Sequence, residues 1–540
     1  METKQLKLPI GIQTFETLRT EGYVYIDKTK TLVDLIDTGQ IYFLARPRRF
    51  GKSLTISTFD ALFSGKKELF KGLYAETFLN RPNFKPSPII RLDMSKVTAD
   101  GGIDELKESI KLKMELMAEG LEVGLVTRNS ASDMFNELIF KLVKKHKQKV
   151  VILIDEYDKP YTDFVNDSDR AEEIREVLRS FYVQIKANDE FIRFTFITGI
   201  SKFAKFGVFS TLNTPIDISM TPEYAEICGY SEEEILRYFP CYIEDTAKSM
   251  HISTKELIEK MRYYYNGFSF DRDAVTKLYN PFSTLCFFKE KFFYNFWIDT
   301  GKPKLIADYM KNRNLTMEEF RNLPVSRDFI KNPGELDDTP PEGFLYQSGY
   351  LTLRPGNSDE LSLDYPNTEV LNAMSALVTQ NIFIKKDESY SQCRTELLKG
   401  LLSKDKDKII RSFNRLLTSI PYDDFSAAAK QSISNQDYEM QPQEWLYRAS
   451  IFSFLQGCGV VVATEMHTNK GRPDLVITYK GTIWVIEIKV AYNGEDAQKR
   501  AKEAYQQIIL KNYAAPYPQA NCLGLGIDDN LRQITGSYNR

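Results

Sequence analysis

The sequence predicts an α/β protein that has a parallel sheet in its N-terminal half, a helical middle region and a smaller α/β domain at its C-terminal end. Two observations lead to this prediction. Short apolar runs alternate with helical segments over residues 1–220, an order that is typical of a parallel sheet. From residue 441 onward, the order becomes helix, strand, loop, strand, turn, strand and helix.

The chain length agrees with such a division. At about 150 residues per domain, 540 residues correspond to two to four domains. We predict four segments, which are a sheet domain at 1–220, a helical lid or middle domain at 221–365, a helical connector at 366–440 and a C-terminal α/β domain at 441–540.

Five apolar runs are the predicted strands of the first segment. One of them, KVVILI, shows no alternation with polar residues, which indicates a strand buried on both faces. The predicted strands are residues 41–45, 88–92, 149–154, 191–197 and 215–218. The predicted helices between them lie near 103–119, 132–146 and 169–187.

Helices dominate the predicted middle region. Ser231 precedes Glu234, and Ser253 precedes Glu256, at the spacing of a capping box at a helix N-terminus. The string GFLYQSGYLTLRPGNSDELSLDYP then predicts two strands around a Pro-Gly-Asn-Ser turn. Residues 367–435 are again predicted to be helical.

Composition and charge exclude several classes of protein. With 42% hydrophobic and 27% charged residues, the chain is neither disordered, collagen-like nor a simple coiled coil. A net charge of -3 gives no overall basic field, so any contact with nucleic acid has to come from a local patch. We find no apolar run of 18 residues, no signal-peptide core and no CxxC pair. We therefore expect a soluble cytoplasmic protein without a membrane span, a zinc site or a disulfide framework.

A phosphate-binding loop is predicted between the first strand and the helix after it. Gly51, Lys52 and Ser53 stand at this junction, where backbone N–H groups and a helix N-terminus attract phosphate oxygens. We expect Lys52 to reach the β and γ phosphates of ATP and Ser53 to bind Mg²⁺. Arg46 stands where the usual first glycine of such loops would be. We expect Arg46, Arg48 and Arg49 to add positive charge beside the loop.

An acidic pair follows the buried run 149–154. Asp155 at a strand end can hold the Mg²⁺ shell, and Glu156 can polarise an attacking water. Thr198, or Ser201 beyond it, can sense the γ-phosphate at the end of the next strand. The alternative is a pair of solvated acids at a strand end. The nucleotide-binding residues that we predict are Arg48, Arg49, Phe50, Gly51, Lys52, Ser53, Leu54 and Asp155, with Ser53 and Asp155 as metal ligands and Glu156 as the catalytic acid.

A second acidic group lies near the C-terminus, in GRPDLVITYKGTIWVIEIKV. Asp474 begins one strand, and Glu487 and Lys489 share a face of the next strand because they are two residues apart. Charged side chains in an apolar strand cost burial energy, which chemistry or a partner can offset. Two converging carboxylates suit Mg²⁺ or Mn²⁺ and phosphodiester hydrolysis, with Lys489 orienting the water or stabilising negative charge. The alternative is an edge hairpin with a surface Glu–Lys pair.

Two helices flank this predicted metal site. Glu444, in the helix before the hairpin, can add an outer carboxylate to the metal site. The helix after the hairpin carries Lys499, Arg500 and Lys502, which can contact phosphates or form a solvated face.

The motifs together resemble the bacterial AAA-ATPase-like family that is joined to a PD-(D/E)xK nuclease-like domain. The resemblance covers most of the chain and lies in YIDKTKTLVDLI, RPRRFGKSLT, LIDEYDKP, TGISKFAKFGVFSTLN, YNGFSF, YNPFS, FLYQSGYLTL, YPNTEV, GRPDLVITYKGTIWVIEIKV and AYQQIILKNYAAPY. It implies a P-loop NTPase sheet domain, a helical lid and a restriction-endonuclease-like C-terminal domain.

The resemblance also implies a role for each matching residue. Lys52 and Ser53 match the nucleotide-binding pair, and Asp155 and Glu156 match the Mg²⁺ and catalytic acids. In the C-terminal domain, the resemblance implies a nuclease core of Asp474, Glu487 and Lys489, with Pro473 before it, Glu444 on the helix and Gln507 downstream.

The preferred hypothesis is an ATPase whose nucleotide cycle gates a metal-dependent nuclease acting on DNA or RNA, in defence or mobile-element biology. A second hypothesis is an ATP-driven switch or scaffold whose C-terminal domain binds nucleic acid or protein without cutting. A third is a P-loop kinase, although Glu156 beside Asp155 fits hydrolysis better than transfer. A homo-oligomer that supplies an arginine finger is compatible with each of them.

Overall fold

The computed structural model describes residues 5–99, 101–162, 164, 167–200, 215–297, 320–331, 341–356, 360–378, 387–419, 442–463, 473–517 and 519–539. These residues form two compact units. The N-terminal unit comprises Met1–Thr300 and Asn322–Thr368, and the C-terminal unit comprises Gly301–Arg321 and Glu369–Arg540. Where the borders of the four predicted segments fall within these units stays a prediction.

The N-terminal unit contains eight of the strands described. They are β1 (Ile41–Ala45), β2 (Ile89–Asp93), β3 (Val150–Asp155), β4 (Ile192–Gly199), β5 (Ile216–Asp217), β6 (Leu323–Val325), β7 (Thr352–Pro355) and β8 (Leu361–Asp364). The helices of its first part are α1 (Phe15–Thr20), α2 (Thr29–Thr38), α3 (Lys52–Phe63), α4 (Glu76–Leu79), α5 (Ile103–Gly120), α6 (Ala131–His146), α7 (Lys159–Thr162) and α8 (Ser168–Ala187). The helices of its later part are α9 (Glu232–Tyr238), α10 (Pro240–Ser249), α11 (Thr254–Tyr265), α12 (Pro281–Glu290), α13 (Arg327–Lys331) and α14 (Pro341–Ser348). Short 3₁₀ turns lie at Lys67–Phe70, Met94–Lys96, Asp189–Phe191 and Pro222–Ile227.

A five-stranded parallel sheet organises the N-terminal unit. Its strand order is β2-β3-β4-β1-β5, so β4 lies between β1, which precedes the predicted phosphate loop, and β3, which ends at Asp155. Every residue of β3 is buried, as its uninterrupted apolar run predicted. Because the strands are parallel, the polar residues after β1, β3 and β4 meet at the same edge of the sheet.

The predicted elements of this sheet agree with the structure to within about two residues, and the predicted α/β fold class is confirmed. The serine caps also form. Ser231 accepts a hydrogen bond from the backbone N–H of Glu234, whose carboxylate accepts one in return, and Ser253 accepts one from the N–H of Glu256. One prediction was wrong, because the first part of the string GFLYQSGYLTL is helix α14 and the strand begins only at Thr352.

The helical spacing of buried residues explains this correction. Phe344, Leu345 and Gln347 are all buried, which suits one face of a helix better than an alternating strand. Pro341 stands at the helix start, where its missing N–H costs nothing. Strand β8 pairs with both β7 and β6 in a small antiparallel sheet. The sequence predicted two strands in this string, but it did not predict β6.

The C-terminal unit contains a mixed sheet and the helices that cover it. Its strands are β9 (Val461–Ala463), β10 (Leu475–Tyr479), β11 (Thr482–Ala491), β12 (Asn521–Asp528) and β13 (Gln533–Tyr538). Its helices are α15 (Thr368–Val378, which begins at the border of the units), α16 (Asp387–Ser403), α17 (Lys406–Ser419), α18 (Pro442–Gly457) and α19 (Ala497–Leu510). The strand order is β13-β12-β11-β10-β9, in which only β11 and β12 pair in parallel. Strands β12 and β13 were not predicted.

The β10–β11 hairpin presents different residues to the two faces of this sheet. Ile486, Ile488 and Val490 join a large apolar cluster on one face, whereas Val485 joins a separate cluster with Ile508 of α19. This alternation was predicted, and it places Glu487 and Lys489 on the face of the sheet that Val485 shares.

Among the residues that the structure describes, no helix is both long and apolar enough to cross a lipid bilayer.

Candidate active sites

The predicted phosphate loop follows β1 directly and contains two residues whose backbone is in the left-handed conformation. Gly51 has φ 98° and Arg49 has φ 67°, and both lie in the region that favours glycine. A Cβ atom added to Gly51 would meet no atom within 4 Å, so the backbone conformation and not crowding is what favours glycine there. The loop is tied to the sheet because the backbone N–H of Arg46 donates to the Gly199 carbonyl at 3.1 Å.

Lys52 begins α3 and turns its side chain into the loop. Its Nζ donates to the Arg46 carbonyl at 2.8 Å and to the Pro47 carbonyl at 3.0 Å. Burial lowers the pKa of Lys52, and the negative charges of Asp155 and Glu156 oppose that shift. The ammonium group is therefore buried among carbonyl oxygens and within electrostatic reach of both acids.

Asp155 is the last residue of the buried strand β3, and Glu156 follows it. Asp155 is 6% exposed, and its Oδ1 accepts hydrogen bonds from Thr198 Oγ1 at 2.7 Å and from the Glu156 N–H at 3.1 Å. Glu156 has φ 51°, a left-handed conformation that turns the chain sharply after the strand. Burial raises the pKa of Glu156, and Lys52 opposes this. Thr198 thus holds Asp155, whereas Ser201 lies outside the described residues.

The other predicted nucleotide-binding residues occupy different surroundings. Arg48 is half-buried, and Arg49 is exposed with its guanidinium 4.9 Å from the ring centre of Phe282. Phe50 is buried against other aromatic rings, and half-buried Leu54 packs on an apolar cluster. Because its side chain is buried, Phe50 can contact a nucleotide only through its backbone.

The side chain of Arg46 is buried among backbone carbonyl oxygens. Its guanidinium is 1% exposed and donates to the carbonyl oxygens of Ala45 and Ser219, at 2.9 and 2.7 Å. It also reaches the carbonyls of Tyr224 and Ala225 at 3.3 and 3.4 Å. Whether Arg46 adds positive charge beside the loop stays a prediction, and its buried side chain fastens the loop to the chain beyond β5.

The oxygen donors at this edge of the sheet fit Mg²⁺, which prefers hard oxygen ligands. Half-buried Ser53 is the second residue of α3, and Asp155 is oriented by the hydroxyl of Thr198. Lys52 supplies the positive charge that phosphates need.

The second site forms where β10 and β11 meet. The backbone N–H of Asp474 donates to Glu487 Oε2 at 3.2 Å, and the N–H of Ile488 donates to Asp474 Oδ2 at 2.7 Å. Asp474 and Glu487 are 8% and 3% exposed. Each acid is thus held by the backbone beside the other acid, and the two carboxylates adjoin in a nearly dry setting.

Glu487 shows the electrostatic consequence of this arrangement. Burial, and then the charge of Asp474, raise the pKa of Glu487 to about 8. Gln507 of α19 donates to Glu487 Oε1 from its side-chain amide. Two buried carboxylates side by side repel each other unless a proton or a cation intervenes, so this oxygen-donor set fits a divalent cation.

Lys489 and Glu444 complete the predicted group. Lys489 is half-buried, two residues beyond Glu487 on the same face of β11. Burial and the charge of Asp474 raise the pKa of half-buried Glu444, which therefore lies near the acid pair. Among the described residues, no three His, Cys, Asp or Glu side chains form a group close enough to hold one metal ion.

Comparison with known proteins matches both halves of this architecture. Residues 9–209 match a family model described as a predicted AAA-ATPase, and residues 442–534 match one of the PD-(D/E)XK nuclease superfamily. A protein of Azotobacter chroococcum mcd 1, named "Uncharacterized protein in vnfD 5'region", is 30% identical over 543 residues, covering 98% of each chain. The chain belongs to the AAA-ATPase-like family with a C-terminal PD-(D/E)XK domain.

In this AAA-ATPase-like protein, sequence reasoning missed Arg448 altogether. Arg448 NH1 donates to Asp474 Oδ1 at 2.9 Å, as an ion pair whose side chains are 11% and 10% exposed. Its position was detectable, because it stands four residues after Glu444 and hence on the same face of α18. The N-terminal site holds another unforeseen acid, Asp158, which accepts the Ile200 N–H at 3.1 Å.

Proposed function

We propose that this protein binds and hydrolyses ATP in its N-terminal unit and cleaves nucleic acid with a divalent cation in its C-terminal unit. The observation that supports the ATPase is the meeting of Lys52 with Asp155 and Glu156 at one edge of a parallel sheet. The observation that supports the nuclease is the pairing of Asp474 with Glu487 beside Lys489.

In the ATPase reaction, a water oxygen attacks the γ-phosphorus and the bond to the ADP oxygen breaks. Lys52 binds the β and γ phosphate oxygens, while Ser53 and Asp155 hold the Mg²⁺ shell. Glu156 takes up or orients the proton of the attacking water. The raised pKa of Glu156 brings its proton affinity closer to that of a base working near neutral pH.

In the nuclease reaction, water attacks the phosphodiester and the bond to one sugar oxygen breaks. Asp474 and Glu487 hold the cation, which when bound supplies positive charge for the phosphate and an activated water. Lys489 orients the water or stabilises the charge on the attacked phosphate. Gln507 holds Glu487 in place, and Glu444 contributes an outer carboxylate.

The ATPase is tested by phosphate release from the full chain, with and without DNA or RNA. Lys52→Ala is expected to abolish release and Glu156→Gln to lower it at least about a hundredfold, because each residue acts on the transferring phosphate. Lys67→Ala is the matched control, since Lys67 is exposed beyond the far end of α3. Equal activity of wild type and Lys52→Ala would refute the proposal.

The nuclease is tested by cleavage of end-labelled DNA and RNA in Mg²⁺ or Mn²⁺. Asp474→Asn, Glu487→Gln and Lys489→Met are expected to lose cleavage. Lys480→Met is the control, because Lys480 is exposed in the turn of the same hairpin. Cleavage that survives Asp474→Asn would show that another site is responsible.

The Arg448–Asp474 ion pair supports a second candidate function. The guanidinium of Arg448 already neutralises part of the negative charge of the acid pair. A site of this kind is compatible with an ATP-driven switch or scaffold whose C-terminal domain binds nucleic acid or protein without cutting. Retained nucleic-acid binding, with no cleavage in any divalent cation, is the result that would favour this candidate.

The biological setting that we propose is defence or mobile-element biology, and its motive is the pairing of an ATPase with a nuclease-like domain. Cells that express the wild type are expected to restrict phage or plasmid entry, and cells that express Asp474→Asn are not. Equal plating efficiency in both strains would contradict this setting.

A further inference from the structure

The ion pair between Arg448 and Asp474 lies in a largely buried part of the C-terminal site. Arg448 NH1 lies 2.9 Å from Asp474 Oδ1, and both side chains are about one tenth exposed. A pair this buried is not a solvated surface contact, so its charges act on their neighbours with little screening.

The hydrogen bonds around Asp474 and Glu487 show which carboxylate oxygen accepts from Arg448 and which oxygens accept from neutral donors. Asp474 Oδ2 accepts the N–H of Ile488, and the two oxygens of Glu487 accept from the Asp474 N–H and from Gln507. Those three donors are neutral. Arg448 therefore brings a full positive charge to Asp474 Oδ1, an oxygen that a divalent cation would also use.

Helix α18 carries both the positive charge of Arg448 and the carboxylate of Glu444. Glu444 and Arg448 are four residues apart and share a face of the helix. The charge of Arg448 opposes the raised pKa of Glu487, and the charge of Asp474 adds to the raised pKa of Glu444. Both side chains of the helix therefore lie within electrostatic reach of the acid pair. The helix thus presents one carboxylate and one guanidinium to the same pair of strands.

We propose that Arg448 is a positioning residue that holds Asp474 in the metal-free domain and sets its affinity for a divalent cation, which has to compete for Asp474 Oδ1. This inference rests on the proposed metal-dependent function of the site. It assigns Arg448 no contact with the substrate.

The proposal predicts two effects of opposite sign for Arg448→Gln. Without metal, the variant is less stable, because removing one partner of a buried pair leaves the other charge uncompensated. With metal, it binds more tightly, because no guanidinium repels or competes with the cation. Arg448→Lys keeps the positive charge, so its metal affinity stays near that of the wild type.

The experiment is a calorimetric titration of the full chain with Mn²⁺ in the absence of nucleotide and nucleic acid. Asp474→Asn defines any binding elsewhere on the chain. Arg415→Gln is the matched control, because Arg415 forms an Arg–carboxylate pair with Glu396 at 2.8 Å on α16 and α17. Thermal unfolding of each variant with and without Mn²⁺ provides a second readout that is independent of cleavage.

The expected result is a Mn²⁺ Kd about tenfold lower for Arg448→Gln, and a larger metal-induced rise in melting temperature than in the wild type. A merely structural arginine would lower stability without tightening metal binding. Wild-type or weaker affinity in Arg448→Gln, with binding still lost in Asp474→Asn, overturns the role of Arg448 and leaves the proposed nuclease standing. Absence of Mn²⁺ binding in both the wild type and Arg448→Gln overturns both.

Discussion

Single hydroxyl groups distinguish two threonines of the same buried strand. Thr198 on β4 donates to Asp155, whereas Thr195 Oγ1 has no hydrogen-bond partner within the described part of the chain. Both side chains are fully buried. Removing a hydroxyl that orients a carboxylate should lower the stability of the protein. Removing a buried hydroxyl without a hydrogen-bond partner should keep or raise it.

We predict that Thr198→Val lowers the free energy of unfolding by about 1–3 kcal/mol and slows ATP hydrolysis, because Asp155 loses a donor. Thr195→Val removes the same atom from the same strand and should keep or raise stability, since a buried unpaired hydroxyl is relieved. Urea unfolding and phosphate release measure the two effects. Equal losses in both variants would show that strand packing alone matters.

At the scale of an element, the side chain of Arg46 holds the phosphate loop in place. Arg46 stands at the position where such loops usually have their first glycine. Arg46 reaches carbonyl oxygens beyond β5, and its guanidinium lies 4.4 Å from the ring centre of Phe270. Burial lowers its pKa only to about 10, so it remains charged at neutral pH. Phe50 packs on Phe268 and Phe270, which fastens the loop a second time.

We predict that Arg46→Met lowers the free energy of unfolding by about 3 kcal/mol, because several buried carbonyls lose their donor. It should also weaken binding of a fluorescent ATP analogue, since Lys52 rests on the Arg46 carbonyl. The comparison is Arg49→Gly, which relieves a left-handed residue and should stabilise the loop by about 1 kcal/mol. Unchanged nucleotide affinity in Arg46→Met would exclude a positioning role for that side chain.

At the scale of the whole molecule, each of the two compact units contains apolar clusters of its own. Two such clusters of described residues lie on the two faces of the C-terminal sheet, and two others lie within the N-terminal unit. Each candidate site is built from residues of one unit only. We therefore expect each unit to respond to its own ligand.

We predict two transitions in calorimetric unfolding. ATP with Mg²⁺ should raise the N-terminal transition, by about 2.7 kcal/mol of unfolding free energy at a hundredfold excess over Kd. Lys52→Ala should abolish this rise and leave the C-terminal transition unchanged. A single transition that ATP moves as a whole would show instead that the units unfold together.

Features that depend on the local order of residues could be predicted from the amino-acid sequence. Apolar runs and turns predicted strands β1 to β5, and the two-residue spacing of Glu487 and Lys489 predicted their shared face. The serine caps were predictable for the same reason, since a cap and its helix lie within four residues. Strands β12 and β13 were not predicted, because no motif was recognised in those parts of the sequence.

Contacts between residues far apart in the chain depend on how the elements pack, and local sequence patterns did not reveal them. Arg46 pairs with carbonyls more than 170 residues away, and Arg448 pairs with Asp474 across 26 residues. A residue's type states its charge, but whether that charge faces a ligand, a carbonyl or an acid depends on packing between elements. Packing placed the buried Arg46 side chain among backbone carbonyls and brought Arg448 to the acid pair, because a buried charge is stable only where partners compensate it.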